Sequence, residues 1–593
     1  MVMSKLVRTV LIFSMIFHSF CTSERRVAVP VKKGVVIGEL GKKIDMYLTR
    51  IVPYGFSGTA LVAEGEDIIL DKGYGFAIES QAIPNTADTV LSTGSITKQF
   101  TAAAILKLEM QGKIRTDDLI TKYFDDVPEA KAGITIHNLL THTAGLIGYT
   151  GSEPLGDFEA AERDETIRKV FQEPLLFLPG KDMRYSNAGY SVLAAIIEKA
   201  SGHTYEEYLR EHLFKPAGMH STGYRLPDWD KQTVAHYYED NLDFGTFLHQ
   251  PYPYWHLLGN GGLLSTTGDM FRWHIALEGE DILSSAAKEK LYTPFLNNYA
   301  YGWNVTESDQ GTLIQHKGGG SFTDSADYLR FVDAGVVISA FCNREYNHLP
   351  LAEYITPKIA AIVFGRSIEF PPKVMTERNL DHEKFEGIYR ISSQAGINIQ
   401  AEEKFLRIQP YGQEAINTLI KPFLEKNQDL NILNKCTLKV VKSLFIEDHK
   451  SIIKALGEKD LNPRLLKYLN TAIPSFKNRI GTIRNIKVLG TIPKVAGSYG
   501  EKHSFATGIS IEGKNRTFIF QVIWKKGRLV DLLRRDDETF FEIPFFHLSE
   551  NEFSGYHLFL ARSLSLDFQQ DKEGKMAGLI LEDNIGSKYF QRQ

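Results

Sequence analysis

The chain has 593 residues, which is too many for a single hydrophobic core and suggests roughly three or four domains. Hydrophobic residues make up 43% and charged residues 24%, a composition typical of soluble globular proteins. The 68 Lys and Arg residues nearly balance the 72 Asp and Glu residues, so the net charge is −4. No long basic block is present, and we expect no nucleic acid as a partner.

The first residues have the layout of a secretory signal. Two basic residues precede an apolar run over residues 10–20, and this run is too short to span a bilayer comfortably. We therefore expect residues 1–22 to be a signal peptide and the protein to be exported: periplasmic, extracellular or anchored facing outward. Cys21 is a candidate for lipid attachment, although the large Phe20 before it argues against an anchor. Membrane attachment through this segment remains the alternative.

In chain order, strands come first, then helices, then strands again. Residues 57–78 are predicted to form two apolar strands around the turn "EGED". From Ser95 the pattern becomes helical, and "NAGYSVLAAIIEKASG" predicts an amphipathic helix that ends at Gly202. Residues 300–342 return to short strands. This order predicts an α/β fold in which the two ends of residues 40–370 form one sheet beside a helical insertion, with a site in the cleft between them.

After "FPPKV" at residues 370–374 the pattern changes to short strands. Residues 443–470 are predicted to be helical, residues 480–533 return to strands, and the tail "SLSLDFQQDKEGKMAGLILED" has a hairpin pattern. We expect the strands after "FPPKV" to form separate cores. A chain truncated near Lys373 is therefore predicted to stay soluble.

Three Ser-x-x-Lys pairs are candidates for nucleophilic chemistry, at Ser95, Ser285 and Ser451. In a helix this spacing puts both side chains on one face, but roughly two or three such pairs arise by chance in a chain of this length. A serine hydroxyl needs a neighbouring base, which a partly neutral lysine supplies. Ser95 begins its helix, where unpaired backbone N–H groups are available to an oxyanion.

Two further motifs follow Ser95 in the chain: "YSN" at residues 185–187 opens a helix, and "HKGGG" at residues 316–320 ends a predicted strand. With these motifs the chain resembles the serine β-lactamase and penicillin-binding-protein superfamily, specifically its class C β-lactamase-like branch. The pattern of that family is SxxK, then YxN, then KTG or HxG, and here it is "SITK", "YSN" and "HKG". Flanking text such as "HNLLTHTAGL" and "GGLLSTTGDM" is similar to the family too. The resemblance covers about residues 45–365 and implies two lobes, an antiparallel sheet with flanking helices and a helical lobe.

The resemblance also implies roles for individual residues. Ser95 would be the acylated nucleophile, Lys98 its hydrogen-bonded partner and base, and Tyr185 the group that moves protons to the leaving group. The residues implied in substrate binding are Asn187, His316, Gly318 and Gly319, with His316 at the position of the lysine of KTG and the N–H groups of Ser95 and Gly319 forming the oxyanion hole. His142, Gly145 and Asn260–Gly262 are assigned to turns and packing, and Ser285 and Ser451 to ordinary helices.

The motif "HKGGG" fits the family in two registers. Either His316 and Gly318 form HxG, or Lys317, Gly318 and Gly319 correspond to KTG, and the two exclude each other because neighbouring strand side chains point to opposite faces. We favour the His316 register, since Ile314 and His316 share one face of an alternating strand.

The C-terminal region resembles a small lipocalin-like β domain, split into residues 380–435 and 538–593. Residues 440–537 are similar to a cystatin-like α+β domain inserted between them. The fold class expected for the whole chain is thus α/β followed by a mostly β accessory region.

The sequence predicts an exported serine hydrolase that forms an acyl-enzyme and cleaves an amide or ester, such as a D-amino-acid peptide, an ester or, weakly, a β-lactam. The alternative is a penicillin-binding or sensor-type protein that is acylated but hardly turns over. The expected partner is a small-molecule or peptide substrate. No metal or cofactor is expected, because Cys342 and Cys436 are far apart and no cluster has metal-ligand spacing.

Overall fold

The computed structural model describes residues 34–148, 160–229, 232–239, 242–319, 324–345, 350–374, 382–402, 404–420, 430–446, 473, 477, 479–493, 504–515, 517–525, 527–535, 543–549, 551–557, 562–583 and 586–593. The expected signal peptide, Cys21, Ser451 and most of the helix predicted for residues 443–470 lie outside the described residues. In the part of the chain that the structure describes, no helix is long and apolar enough to cross a membrane.

Up to residue 374 the main elements come in the predicted order: strands first, then mostly helices, then strands again. The strands are β1 (Val35–Val36), β2 (Gly58–Glu64), β3 (Asp67–Tyr74), β4 (Phe76–Ile78), β5 (Ile83–Pro84), β6 (Leu91–Ser92), β7 (Tyr238–Glu239), β8 (Leu242–Asp243), β9 (Leu264–Ser265), β10 (Asn304–Ser308), β11 (Gly311–Gly319), β12 (Ser325–Phe331), β13 (Val336–Cys342) and β14 (Arg344–Glu345). The helices are α1 (Gly38–Ile51), α2 (Thr97–Met110), α3 (Ile136–Leu140), α4 (Arg163–Gln172), α5 (Asn187–Ser201), α6 (Tyr205–Leu209), α7 (Lys215–Ala217), α8 (Thr267–Glu278), α9 (Ser285–Tyr292) and α10 (Leu351–Val363).

The central sheet is antiparallel and joins the two ends of this region. Its strand order is β1-β3-β2-β13-β12-β11-β10, so β2 from the start pairs directly with β13 from the end. Side chains alternate between two buried faces: Ala60 and Val62 pack with α1 and α10, while Leu61 and Ala63 pack with α8. The predicted α/β fold, with one sheet from both chain ends and a helical lobe, is confirmed.

Helices α2 and α5 form the centre of the helical lobe. The small side chains of Ala102–Ala104 allow neighbouring elements to pack closely against α2, and this helix is buried on almost all sides. Helix α5 begins at Asn187 because the Ser186 hydroxyl accepts a hydrogen bond from the Gly189 N–H at 2.9 Å. It ends at Gly202 with φ +78, as the sequence predicts.

Beyond residue 382 the described chain forms a barrel with an insertion. In chain order its elements are β15 (Gly387–Arg390), β16 (Gly396–Ala401), β17 (Leu406–Tyr411), α11 (Gln413–Ile420), α12 (Asn431–Phe445), β18 (Ile483–Pro493), β19 (Ser504–Gly513), β20 (Thr517–Lys525), β21 (Arg528–Arg535), β22 (Ile543–His547), β23 (Glu552–His557), β24 (Arg562–Gln570), β25 (Met576–Asp583) and β26 (Gly586–Arg592). Strands β15–β17 and β22–β26 close the barrel, and β18–β21 form a separate four-stranded sheet. The assignment of these parts to lipocalin-like and cystatin-like domains stays a prediction.

The barrel packs onto the first region, residues 34–374, through aromatic side chains. Phe546 of β22 lies edge-on to Tyr54, with ring centroids 5.3 Å apart, and Tyr556 of β23 lies 5.7 Å from the same ring. All three side chains are at most 4% exposed and belong to one hydrophobic cluster with α1 and α10. The strands after "FPPKV" thus have a core of their own, as expected, but these rings also join a core of the first region, so the two parts share buried contacts.

Candidate active site

Ser95 lies in a 3-10 turn, Gly94–Ile96, between β6 and α2. Gly94 has φ +49, a conformation that favours glycine. A Cβ atom on Gly94 would lie 2.2 Å from the amide nitrogen of Gly319. The turn therefore sits directly against the end of β11, which brings Ser95 to the edge of the central sheet.

Lys98, one helical turn after Ser95, is fully buried. Its Nζ atom donates to the Ser95 Oγ at 2.9 Å and to the backbone carbonyl of Asn260 at 2.7 Å. The same Nζ lies 4.7 Å from the centroid of the Tyr185 ring. These contacts hold the amine between the serine hydroxyl and the tyrosine, where it is in reach of the serine proton.

The carbonyl that binds Lys98 is itself held by the side chain of Asn260. The Asn260 amide donates to the Ser191 hydroxyl at 2.9 Å and to the His256 carbonyl at 2.8 Å. Sequence reasoning assigned Asn260–Gly262 to a turn and missed the contact with Lys98. A backbone carbonyl leaves no signal in the residue type, so the motif "GNGG" alone does not reveal this role.

Tyr185 stands just before α5, with its hydroxyl 3.5 Å from the His316 Nε2. Although 41% of the side chain is exposed, the hydroxyl faces inward. Burial raises the pKa of Tyr185 above its ordinary value, and a hydrogen bond with Ser95 partly offsets that rise. Tyr185 is therefore a neutral phenol near pH 7 and is able to donate a proton.

His316 lies on β11 and is 2% exposed. Its Nδ1 contacts the backbone carbonyl of Gly302, and because a carbonyl only accepts, the ring proton lies on Nδ1. Burial, followed by the charge of Lys98, lowers the pKa of His316 to about 3, against the opposing effect of the Gly302 carbonyl. The ring is thus neutral near pH 7, and its Nε2 is an acceptor for the Tyr185 hydroxyl.

Lys317 points to the opposite face of β11. Its Nζ lies 3.1 Å from the Glu353 carboxylate on α10, whereas the neighbouring His316 faces the cleft. Of the two registers that fit "HKGGG", the one with His316 toward Ser95 is the register of the structure. The glycine after the lysine, Gly318, then comes closest to the turn that carries Ser95.

Both glycines that end β11 allow a close approach of two backbones. A Cβ atom on Gly318 would lie 2.2 Å from the Thr93 carbonyl and 2.7 Å from the Ser95 amide nitrogen. Gly319 has φ +143, and a Cβ there would lie 2.2 Å from the Asp324 carbonyl. The strand end and the serine turn are thereby in direct backbone contact, and the amide nitrogens of Ser95 and Gly319 both lie at that contact.

Asn187 is the first residue of α5, and its N–H donates to the Gly148 carbonyl at 2.8 Å. Its side-chain oxygen Oδ1 is buried and has no hydrogen-bond partner among the described residues. A buried acceptor without a partner is costly to leave unsatisfied. The structure brings five of the predicted residues together around Ser95: Lys98, Tyr185, His316, Gly318 and Gly319. Asn187 lies two residues after Tyr185 in the chain.

Residues 50–357 match the family model "Beta-lactamase". The chain belongs to the beta-lactamase family. It is a serine hydrolase of the superfamily that also contains the penicillin-binding proteins, as the motifs predict.

Several relatives of this beta-lactamase family member carry the name of penicillin-binding proteins. Penicillin-binding protein 4* of Bacillus subtilis (strain 168) is 28% identical over 400 residues, which span 60% of this chain and 84% of that protein. The putative penicillin-binding protein PbpX of the same strain is 34% identical over 268 residues, 44% of this chain and 65% of that protein. The octameric penicillin-binding protein homologue from Pyrococcus abyssi shares the fold, with a TM-score of 0.50 at 19% identity over 93% of this chain and 100% of that one.

The second Ser-x-x-Lys pair has no such surroundings. Ser285 begins α9 and its hydroxyl contacts Glu280, while the Lys288 amine binds the carbonyls of Leu277 and Gly279. This serine is an ordinary helix residue, as expected. Within the described ranges, no group of three or more His, Cys, Asp or Glu side chains is placed to hold a metal ion.

His142, which was assigned to turns and packing from the sequence, contacts Tyr185 and Ser186 at the site. Its ring lies against that of Tyr185, with centroids 4.2 Å apart, and its Nδ1 accepts a hydrogen bond from the Ser186 N–H at 3.1 Å. The backbone of this residue is left-handed, with φ +59, which is uncommon for residues other than glycine. No spacing rule connects "THTAGL" to Tyr185, so only the folded chain reveals the contact.

Proposed function

We propose that this serine hydrolase forms an acyl-enzyme on Ser95 with an amide or ester and then hydrolyses it. The observation that carries the proposal is the 2.9 Å contact between the Lys98 Nζ and the Ser95 Oγ. Nucleophile and base at hydrogen-bond distance are the signature of covalent catalysis by a hydroxyl. Neither Ser285 nor its neighbours offer this arrangement.

Acylation needs the form of the protein in which the Lys98 amine has lost its proton: Ser95 Oγ attacks the substrate carbonyl carbon while that amine accepts the hydroxyl proton. The carbonyl oxygen gains negative charge and is stabilised by the N–H groups of Ser95 and Gly319, whose nitrogens lie where the serine turn meets the end of β11. The proton passes to the departing nitrogen or oxygen through the Tyr185 phenol. Water then attacks the acyl-enzyme and releases the acid and Ser95.

The proposed substrate is one that does not depend on a carboxylate beside the scissile bond. In the KTG pattern an ammonium stands where this chain has His316, and a pair of unit charges about 4 Å apart near a protein surface attract by roughly 4 kcal/mol. The neutral imidazole of His316 gives up that attraction. This favours esters and amides, D-amino-acid peptides among them, over efficient turnover of β-lactams. The Asn187 Oδ1 is the proposed acceptor for a substrate N–H.

A second candidate is a penicillin-binding or sensor-type protein that is acylated but hardly turns over. The names of the two Bacillus subtilis relatives support it. Export through residues 1–22, with possible membrane attachment there, is proposed for either function.

The test is a kinetic profile of the purified protein with a β-lactam, a short-chain ester and a D-alanyl peptide. Continuous turnover of the ester or peptide supports the hydrolase, whereas a burst of one product per protein followed by no turnover supports the sensor. A serine-reactive probe followed by peptide mapping is expected to label Ser95, with Ser285→Ala as the control that keeps labelling. Label on any other serine would overturn the assignment.

A further inference from the structure

His142 holds the backbone on both sides of Tyr185. Its carbonyl accepts a hydrogen bond from the Arg184 N–H at 3.0 Å, and its ring Nδ1 accepts one from the Ser186 N–H at 3.1 Å. Its ring also lies on the Tyr185 ring, with centroids 4.2 Å apart and planes inclined by 39°. One residue therefore fixes the position of Tyr185 through three contacts.

These contacts depend on an unusual backbone at His142. Its φ of +59 lies in the left-handed region, which is unfavourable for most residues other than glycine. That conformation lets the carbonyl meet Arg184 while the ring turns back toward Ser186.

The ring of His142 is neutral and takes no part in proton transfer. Because Nδ1 accepts from an amide N–H, the ring proton lies on Nε2, and Nε2 has no hydrogen-bond partner among the described residues. Burial, and then the charge of Lys98, lower the pKa of His142 well below its ordinary value. The ring is enclosed by Tyr190 and Tyr299, with centroids 5.0 and 4.6 Å away.

We propose that His142 is a positioning residue that holds the Tyr185 phenol at the leaving group during acylation. It acts through Tyr185 and does not touch the reacting atoms. This inference rests on the proposed role of Tyr185 in the acyl-enzyme mechanism. A misplacement of about 1 Å in a catalytic group can cost on the order of 100-fold in rate, so the effect is large enough to measure.

The test compares two esters with the same acyl group. A p-nitrophenyl ester expels a stable anion that needs no proton, whereas an ethyl ester needs a proton on its departing oxygen. For His142→Ala, kcat/KM on the ethyl ester is expected to fall about 10- to 100-fold, and on the p-nitrophenyl ester by less than about 3-fold. In a Tyr185→Phe background, His142→Ala is expected to add no further loss, because both changes remove the same contribution.

The controls separate positioning from folding. Active sites are counted by the burst on the p-nitrophenyl ester, and His274→Ala, which removes a buried neutral histidine elsewhere, is expected to affect both esters alike. If His142→Ala does not fold, His142→Gly carries the comparison, since glycine adopts a positive φ freely and removes both the ring and the acceptor for Ser186. Equal loss on both esters, or a further loss in the Tyr185→Phe background, would overturn the role of His142.

Failure of the underlying mechanism has a different outcome. If Tyr185→Phe itself affects both esters equally, Tyr185 does not serve the leaving group, and the proposal for His142 falls with that step. If Tyr185→Phe discriminates between the esters but His142→Ala does not, only the positioning role is wrong.

Discussion

The carbonyl of Gly302 decides what His316 is able to do. By binding Nδ1 it leaves the Nε2 lone pair for the Tyr185 hydroxyl, so the imidazole orients a phenol and attracts no anion. The neighbouring Lys317 forms an ion pair with Glu353 on the other face of the sheet, away from the cleft. Two adjacent residues of one strand therefore have unrelated roles, which alanine variants distinguish.

We predict that His316→Ala lowers kcat/KM, because the Tyr185 hydroxyl loses its acceptor. The loss of transition-state stabilisation is expected to be about 2 to 4 kcal/mol. Lys317→Ala is the matched control and is expected to stay within about 1 kcal/mol, since its ion pair is partly exposed. Steady-state kinetics of both variants on one ester are the measurement. If Lys317→Ala loses kcat/KM while His316→Ala keeps it, the side chain that faces the cleft is the lysine and not the histidine.

Lys98→Ala is predicted to nearly abolish acylation and leave the fold intact. Removal of a base typically costs about 10²- to 10⁴-fold, and Lys98 is the amine that contacts the Ser95 hydroxyl. Lys288→Ala, which alters the other described Ser-x-x-Lys pair, is the control and is expected to acylate as the wild type does. The measurement is the rate of probe labelling, with circular dichroism as the check on folding. Labelling of Lys98→Ala within a few-fold of wild type would exclude Lys98 as the base.

Buried neutral histidines also make stability depend on pH. His274 is 5% exposed, accepts a hydrogen bond from Arg330, and has its pKa lowered to about 3 by burial and then by the Arg330 charge. The unfolded chain takes up a proton near pH 6.5 but the folded one does not, so stability is complete above pH 6.5 and falls as the pH drops toward 3.

At pH 5 the free energy of unfolding is predicted to be lower than at pH 7 by about 2 kcal/mol on account of His274. His274→Gln removes the titration, so its loss between pH 7 and 5 is expected to be smaller than that of the wild type. Urea unfolding at the two pH values measures both. Equal losses in the two proteins would show that His274 is protonated in the folded state.

At the scale of elements, local patterns predicted the helices and strands well. Helix α5 begins at its Ser186 cap and ends at Gly202 where the sequence indicates, and Ile314 and His316 share a face of β11 as the alternation requires. What the sequence did not reveal are contacts made through the backbone. His142 and Asn260 act by way of a carbonyl or an unusual φ, and the identity of a residue carries no record of where its carbonyl points.

The approach of β11 to the serine turn yields an element-scale prediction. In Gly318→Ala the new Cβ would meet the Thr93 carbonyl at 2.2 Å, so the strand has to move away from Ser95. We expect kcat/KM to fall on the order of 100-fold, the cost of about 1 Å of misplacement. Gly133→Ala, where the added Cβ meets nothing within 4 Å, is the control. An active Gly318→Ala would show that the two backbones are farther apart.

At the scale of the whole molecule, the barrel and the catalytic region depend on each other. Tyr54 follows α1 near the start of the chain, whereas Phe546 and Tyr556 come from β22 and β23 near its end. Periodicity shows that such residues are buried but not what they are buried against. That is why the sequence suggested separate cores, and why removal of everything after Lys373 is now expected to expose Tyr54 and destabilise the first region.

Phe546→Ala tests this coupling without truncation. It removes a ring that is 4% exposed, and such changes typically cost about 3 to 5 kcal/mol. Four of the five tryptophans, Trp229, Trp255, Trp273 and Trp303, lie in the first region, and the fifth, Trp524, lies in β20. Tryptophan fluorescence therefore reports mainly on the first region and is expected to show that it unfolds at lower urea concentration in the variant. Ile388→Ala, on the exposed side of β15 with 41% of the residue accessible, is the control and should cost about 1 kcal/mol or less. If the fluorescence transition of Phe546→Ala stays with that of the wild type while circular dichroism reports loss of the barrel, the two cores are independent after all.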